Sequence, residues 1–192
     1  MAGNNCRVTI HMAMSLDGYI ARKDGSVDWM ETTDEFPGGE AMDADVINAF
    51  LQAIDCYVMG SHTYETALRF DDEGHGWAYG DTPVFVLTTR TLRRNRESVE
   101  FFSGNVSRLI NDRLRPLYRR IWVAGGGIVA GEMLRLGLAD EVSCSVLPVL
   151  IGEGVPFFDR VDGEVALHLV ETRAYQSGIV ELRYEVKRQP GH

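Results

Sequence analysis

The chain has 192 residues and a net charge of −9. That is long enough for one domain with its own core, and too acidic for a non-specific nucleic-acid or anionic-membrane binder, which needs a basic surface. No apolar run approaches the roughly 20 residues of a membrane span, and the start MAGNNCRV lacks a signal-peptide pattern, so a cytoplasmic setting is expected.

No repeat or linker divides the sequence, so 1–192 reads as a single domain. Residues 8–14 are a first strand, followed by SLDGYIARKDGSVDWM, whose two D-G pairs mark turns. Residues 41–54 are helical, with Met42, Val46, Ala49, Phe50 and Ala53 recurring at three- and four-residue steps. A strand at 56–59 runs into Gly60, a helix covers 61–68, and 70–80 is a loop before a buried strand at 83–88. A short strand at 99–102 precedes a helix that Asn105 or Ser107 caps and that reaches toward Tyr118, with Pro116 disturbing its end.

Residues 121–124 form the next strand, leading through Gly125, Gly126 and Gly127 into a helix over 128–136 with Gly137 as its C-cap; Met133, Leu134 and Leu136 are assigned to the core. Thereafter Val142, Cys144 and Val146 alternate with polar residues, as do Val165, Leu167 and Leu169, and Val180, Leu182, Tyr184 and Val186; AYQSG joins the last two runs as a hairpin. Strand–helix alternation followed by alternating strands predicts a three-layer α/β/α fold, its mixed, mostly parallel central sheet carrying antiparallel C-terminal strands.

Cys6, Cys56 and Cys144 are odd in number and widely spaced. They suit neither a disulfide framework nor a zinc site, and Cys56 and Cys144 read as small core residues. His11, His62, His75, His168 and His192 lack metal-ligand spacing, so no metal is expected.

Three glycines between an apolar strand and an apolar helix let an anion touch the unpaired N–H groups of a helix N-terminus. A tight turn needing positive φ explains them as well. Gly125, Gly127 and Ala130 satisfy G-x-G-x-x-A, with Glu153 near the distance of a ribose-binding acid. Pro148 in the next strand and the short remaining chain argue against a full Rossmann domain. MGSHTYET is a second strand–glycine–helix join, with Gly60, Ser61 and Thr63; VLTTR offers Thr88, Thr89 and Arg90 at a third strand end. Open α/β sheets bind ligands at the carboxyl edge of their strands. These groups suit a pyrophosphate plus one further phosphate, which describes NADPH better than NADH.

The order MGSHTYET, PVFVLTTR, IWVAGGGIVAGEML is similar to the dihydrofolate reductase-like fold. SLDGYIARKDGSVDWM and GLADEVSCSVLPVLIGEGVPFF look more like the reductase domain of riboflavin biosynthesis (the RibD C-terminal type), and the chain most resembles free-standing members of that family. The resemblance implies NADPH binding and hydride transfer to a small heterocyclic, ribosylamino or pterin-like substrate. It places the pyrophosphate between Gly125, Gly126, Gly127 and Ile128 on one side and Gly60, Ser61 and Thr63 on the other. Thr88, Thr89 and Arg90 would surround the 2′-phosphate, and Ala13 with the Ser15–Gly18 turn would border the nicotinamide.

The sequence departs from the pattern in three places. Ser61 stands where dihydrofolate reductases usually have arginine. Ala124 stands where riboflavin reductases usually have the glutamate of an E-G-G motif. The zinc-deaminase motifs of the two-domain riboflavin enzymes are absent.

Asp17 is the first candidate catalytic residue, to bind a substrate hydroxyl or amine or to relay a proton; alternatively its carboxylate only bonds nearby backbone N–H groups. At an unshifted pKa near 4 about one molecule in a thousand is protonated at pH 7, so substrate binding is the better assignment. Trp29, Asp43 and Asp45 are candidate substrate contacts, the two aspartates serving equally as helix N-terminal acids. His75, Trp77 and Tyr79 form either a lid or an anchored surface loop, and His62 is a surface residue or a phosphate contact. The expected activity is NADPH-dependent reduction of a small molecule by a homodimer. The alternatives are the riboflavin-pathway 5-amino-6-(5-phosphoribosylamino)uracil reductase, or a non-catalytic nucleotide-binding protein of the same fold.

Overall fold

The computed structural model describes residues 5–187. Strand β1 (Arg7–Ser15) buries Val8 and Ile10 completely and turns Thr9 and His11 to the opposite face, the period-2 alternation of a pleated strand. A short β2 (Tyr19–Ala21) and a 3₁₀ turn (Asp28–Met30) lead to helix α1 (Ala44–Gln52). Then come β3 (Cys56–Gly60), α2 (Ser61–Asp72), β4 (Val84–Leu87) and β5 (Val99–Phe102). Helix α3 (Val106–Arg108) continues through a π-helical stretch (Leu109–Leu114) into α4 (Arg115–Leu117). The chain then forms β6 (Arg120–Gly125), α5 (Gly127–Arg135), β7 (Glu141–Leu147), β8 (Val155–Pro156), β9 (Leu167–Ala174) and β10 (Val180–Val186).

Eight strands form one sheet in the order β5-β4-β3-β6-β1-β7-β10-β9, and β2 pairs with β8 beside it. Pairs from β5 to β7 are parallel; β10 runs antiparallel to both β7 and β9. Each face carries its own core. On one, Val8, Ile10, Cys56, Val58 and Val123 meet Leu109, Ile110 and Leu114 and the α5 residues Val129, Ala130 and Met133. On the other, Tyr57, Met59, Val84 and Val86 meet Tyr64 and Leu68 of α2 and Ile54 beyond α1. The three-layer mixed sheet is therefore the observed architecture. Cys6, Cys56 and Cys144 are buried free thiols.

Several local expectations change. β7 pairs in parallel with β1, so the antiparallel part of the sheet begins one strand later than the alternating pattern suggested. Its polar residues Glu141 and Ser143 are buried all the same, Glu141 pairing with Arg7 and Arg183. Helix α1 is shorter than 41–54, and Met42 (45 %) and Phe50 (46 %) are exposed, so its apolar stripe is not a core face. α2 extends to Asp72, into the expected loop. Leu136 is exposed, while Met133 is fully buried as expected and Gly137 follows the helix at φ +62°. Val165 lies outside β9. Asn105 is the cap, its side chain accepting from the Arg108 amide, and Pro116 falls in the last turn of the continuous 106–117 helical run, which ends where Tyr118 turns extended.

Candidate active site

Parallel pairing sets the carboxyl ends of β4, β3, β6 and β1 along one edge, and Met59 on β3 lies opposite Gly125 on β6. Two helices start there. α2 has Gly60 and α5 has Gly126 as N-cap; neither start has a side-chain cap, and neither first turn carries an acidic residue. A Cβ on Gly60 would stand 3.9 Å from the Gly126 amide nitrogen, so the two N-termini converge. Their unpaired N–H groups and aligned dipoles make this a place for a doubly charged anion.

The three glycines do different work. Gly125 has φ +113° and a Cβ there would meet Met12 Sδ at 2.6 Å; a Cβ on Gly127 would collide with the Pro156 carbonyl oxygen. Gly125 is therefore demanded by its positive φ and Gly127 by packing against backbone. Gly126 is the open one: the nearest atoms to an added Cβ are Thr63 Oγ1 at 3.7 Å and Ile20 Cδ1 at 3.8 Å. The Gly125–Gly126 peptide is cis. Ser61 and Thr63 are half-buried in the first turn of α2, and Ile128, in the first turn of α5, is exposed.

At the end of β4, Thr88 Oγ1 accepts from the Arg90 amide at 3.0 Å, and Thr89 is exposed. The Arg90 guanidinium donates to both Glu65 oxygens, at 2.9 and 2.6 Å. Arg90 holds the Glu65 carboxyl below its ordinary value.

Asp17 lies in the turn after β1, where Gly18 has φ +87° and donates to the Ser15 carbonyl. Buried Ser15 donates to Asp17 Oδ1 at 2.6 Å, and the amides of Ile151 (3.2 Å) and Gly152 (2.7 Å) donate to the two carboxylate oxygens. The Ser15 hydroxyl first, then the Gly152 and Ile151 amides, hold its carboxyl below the usual range against an opposing effect of desolvation. An ionised acceptor so engaged ties the 150–152 loop to the end of β1; it is not a proton donor at neutral pH. Ala13, two residues before Ser15, is half-buried on the same face of β1.

Asp43 caps α1, its side chain accepting from the Asp45 amide at 3.0 Å, and both acids are exposed. Trp29 is buried, and among the described residues its indole N–H has no partner. Trp77 and Tyr79 are anchored, with ring centroids 6.0 Å from Tyr64 and 4.7 Å from Tyr57 respectively, while His75 and His62 are exposed. The 73–80 loop is thus pinned by its aromatics. Among the described residues no cluster of three or more His, Cys, Asp or Glu is placed to hold a metal, and no helix is long and apolar enough to cross a membrane.

The family model of the RibD C-terminal domain matches residues 7–181. The chain belongs to the RibD C-terminal domain family. Among its relatives are the Bacillus subtilis proteins YwjB, 30% identical over 93% of this chain and 97% of that one, and YyaP, 28% identical over 93% and 94%. The riboflavin biosynthesis protein RibD of Corynebacterium ammoniagenes is 27% identical over 83% of this chain but 50% of its own. A solved structure from Shewanella sp. PV-4, assigned to riboflavin biosynthesis, superposes with a TM-score of 0.78 at 27% identity, covering 95% and 99% of the two chains. Dihydrofolate reductase of Enterococcus faecalis, solved with NADP(H), shares the fold at a TM-score of 0.58 and 18% identity, covering 95% and 97%.

Sequence reasoning missed several neighbours of these candidate residues. Met12 and Ile20 flank the glycines, Glu65 engages Arg90, and the 151–152 amides engage Asp17. His11 Nε2 lies 3.2 Å from Ser145 Oγ, and Glu181 is the register partner of Ser145 on β10. Glu65 had a local signal, since it shares the MGSHTYET helix with other candidates, and Ile20, Ile151 and Gly152 lie within the quoted SLDG and GLADEV stretches.

Proposed function

We propose that the protein is an NADPH-dependent reductase that transfers a hydride to a small heterocyclic, ribosylamino or pterin-like substrate. The observation that carries this reading is the convergence of two glycine-capped helix N-termini, free of side-chain caps and acids, at neighbouring parallel strand ends. Gly126, Ser61 and Thr63 would hold the pyrophosphate, with Gly60, Gly125 and Gly127 letting the backbone close in. Thr88, Thr89 and Arg90 would flank the adenosine ribose. Ala13 and the Ser15–Gly18 turn would border the nicotinamide, which supplies the hydride when bound.

The residues of this chain orient and exclude water. Ser15 and Asp17 lock the turn against the 150–152 loop, giving the β1 end a defined shape for a reaction that needs donor and acceptor carbons about 3–3.5 Å apart. Asp17 works here by position, its lone pairs directed at protein donors. Titration with NADPH and NADH, followed by tryptophan fluorescence, tests the reading: micromolar NADPH binding supports it, and no binding of either below millimolar overturns it. NADPH oxidation across pterins, flavin precursors and carbonyls separates a reductase from a nucleotide-binding protein without turnover. Ala124 speaks against the riboflavin-pathway 5-amino-6-(5-phosphoribosylamino)uracil reductase as the specific activity.

We further infer a cytoplasmic homodimer. The position of β9 at the sheet edge among the described residues supports it, with Leu167, Leu169 and Val170 exposed. Buried free thiols suit a reducing compartment. Light scattering on the eluted protein gives the mass that decides the assembly.

A further inference from the structure

On the α1–α2 face, α1 reaches as far as β1, where Phe50 stands beside His11. Register aligns Ala13 of β1, Ser145 of β7 and Glu181 of β10 on adjacent strands. At about 4.8 Å per strand they span about 10 Å, the width of a small ring compound. His11 Nε2 lies 3.2 Å from Ser145 Oγ, and the Tyr175 hydroxyl donates to Glu181 Oε2 at 2.8 Å.

Two walls flank this line. On one side the His11 ring stacks on Trp122 at 4.6 Å, and Phe50 of α1 stands edge-on to His11 at 5.9 Å. On the other, segment 36–40 is strapped to the β9–β10 hairpin: Phe36 donates to the Gln176 carbonyl, Glu40 to that of Ala174, and Gln176 to that of Glu40. Between helix and strap the line Ala13–Ser145–Glu181 is a half-buried strip of sheet, the trough.

Glu181 is half-buried, and among the described residues no ion pair neutralises it; Arg173, directly opposite on β9, is taken by Glu171. A carboxylate has about four acceptor positions, and the Tyr175 bond uses one. Burial, then the bond to Glu181, pushes the Tyr175 phenol up to about 12, so it remains a donor. Burial also pushes the His11 imidazole down, leaving a neutral ring. The trough therefore offers one negative, under-used acceptor beside two neutral polar groups.

We propose that Ala13, His11, Ser145, Glu181 and Tyr175 form the substrate-recognition floor, taking a flat ligand that presents an amine or paired N–H donors to Glu181. Calling that ligand the substrate rests on the reductase reading; the trough itself does not. A phosphate or carboxylate end would be repelled by Glu181 and must lie elsewhere.

The test uses 2-aminopyridine, whose protonated ring and amino group match a carboxylate, against pyridine. Binding is read from the His11 imidazole resonances, assigned with His11→Asn. The full-length protein should prefer 2-aminopyridine by about tenfold, the order expected for a charge-assisted bond. Glu181→Gln should abolish the preference, while Tyr175→Phe, which keeps the carboxylate, should retain it. Equal affinity for the two probes, or an unchanged preference in Glu181→Gln, overturns the proposal. NADPH titrations run in parallel: failure of NADPH to bind, with the probe preference intact, would sink the reductase reading and leave the trough standing.

Discussion

Arg90 and Glu65 are locked together, two guanidinium nitrogens meeting two carboxylate oxygens at 2.9 and 2.6 Å across the gap between the end of β4 and helix α2. An arginine paired in this way is oriented, but its charge is largely cancelled for any phosphate that approaches.

Glu65→Gln should therefore strengthen NADPH binding several-fold and leave NADH unchanged, because only NADPH carries the extra phosphate. Arg90→Ala should weaken NADPH far more than NADH. Fluorescence titrations of both cofactors against both variants check this; parallel changes for the two cofactors would show that Arg90 does not read the 2′-phosphate.

The glycines separate packing from binding. Gly127→Ala forces a Cβ into the Pro156 carbonyl and should cost about 1–3 kcal/mol or more, visible as a lower Tm. Gly126→Ala meets only ordinary contacts, so its Tm should stay near wild type while NADPH affinity falls about tenfold or more through loss of close backbone approach. The paired measurement is thermal melting alongside cofactor titration.

Asp17 has a depressed carboxyl, so the bonds it makes stabilise the fold above the unfolded value near 4 and are lost as pH falls through the folded value. Wild type should melt above Asp17→Asn at pH 6, and the gap should close on acidification below about pH 4. A gap that persists unchanged at pH 3 would show that the charge is irrelevant.

His11 has the opposite linkage. Among Trp122, Phe50, Ser145 and Glu181, burial lowers its imidazole, with Glu181 opposing. The unfolded chain takes up the proton near pH 6.5 while the fold resists it, so stability drains below that pH. Between pH 7.5 and 5.5, wild type should lose more denaturant stability than His11→Gln. Equal losses would count against a neutral buried ring.

Much of the strand-end edge was readable along the chain. Gly60, Gly126 and Thr88 sit where a strand stops, and a stop written in glycine and hydroxyls is a local signal. The aspartate in the SLDG turn was equally visible, yet its partners lie at Ile151 and Gly152, more than 130 residues away. Its role as an anchor could not be read from its neighbours. Helix α1 misled because its three- and four-residue spacing shows only that a face is apolar, not that anything covers it.

The amino-acid sequence alone determined the element order, the parallel body with its closing hairpin, and the three strand ends, because periodicity and turn chemistry act over a few residues. Tertiary structure decided the rest. His11, Ser145 and Glu181 share a face only because β1, β7 and β10 are adjacent in one register, and a slip by one residue would turn each to the other side. Pairing between distant segments is set by the packing of the whole sheet, and it is there that a neutral imidazole and an unneutralised carboxylate come to line one trough.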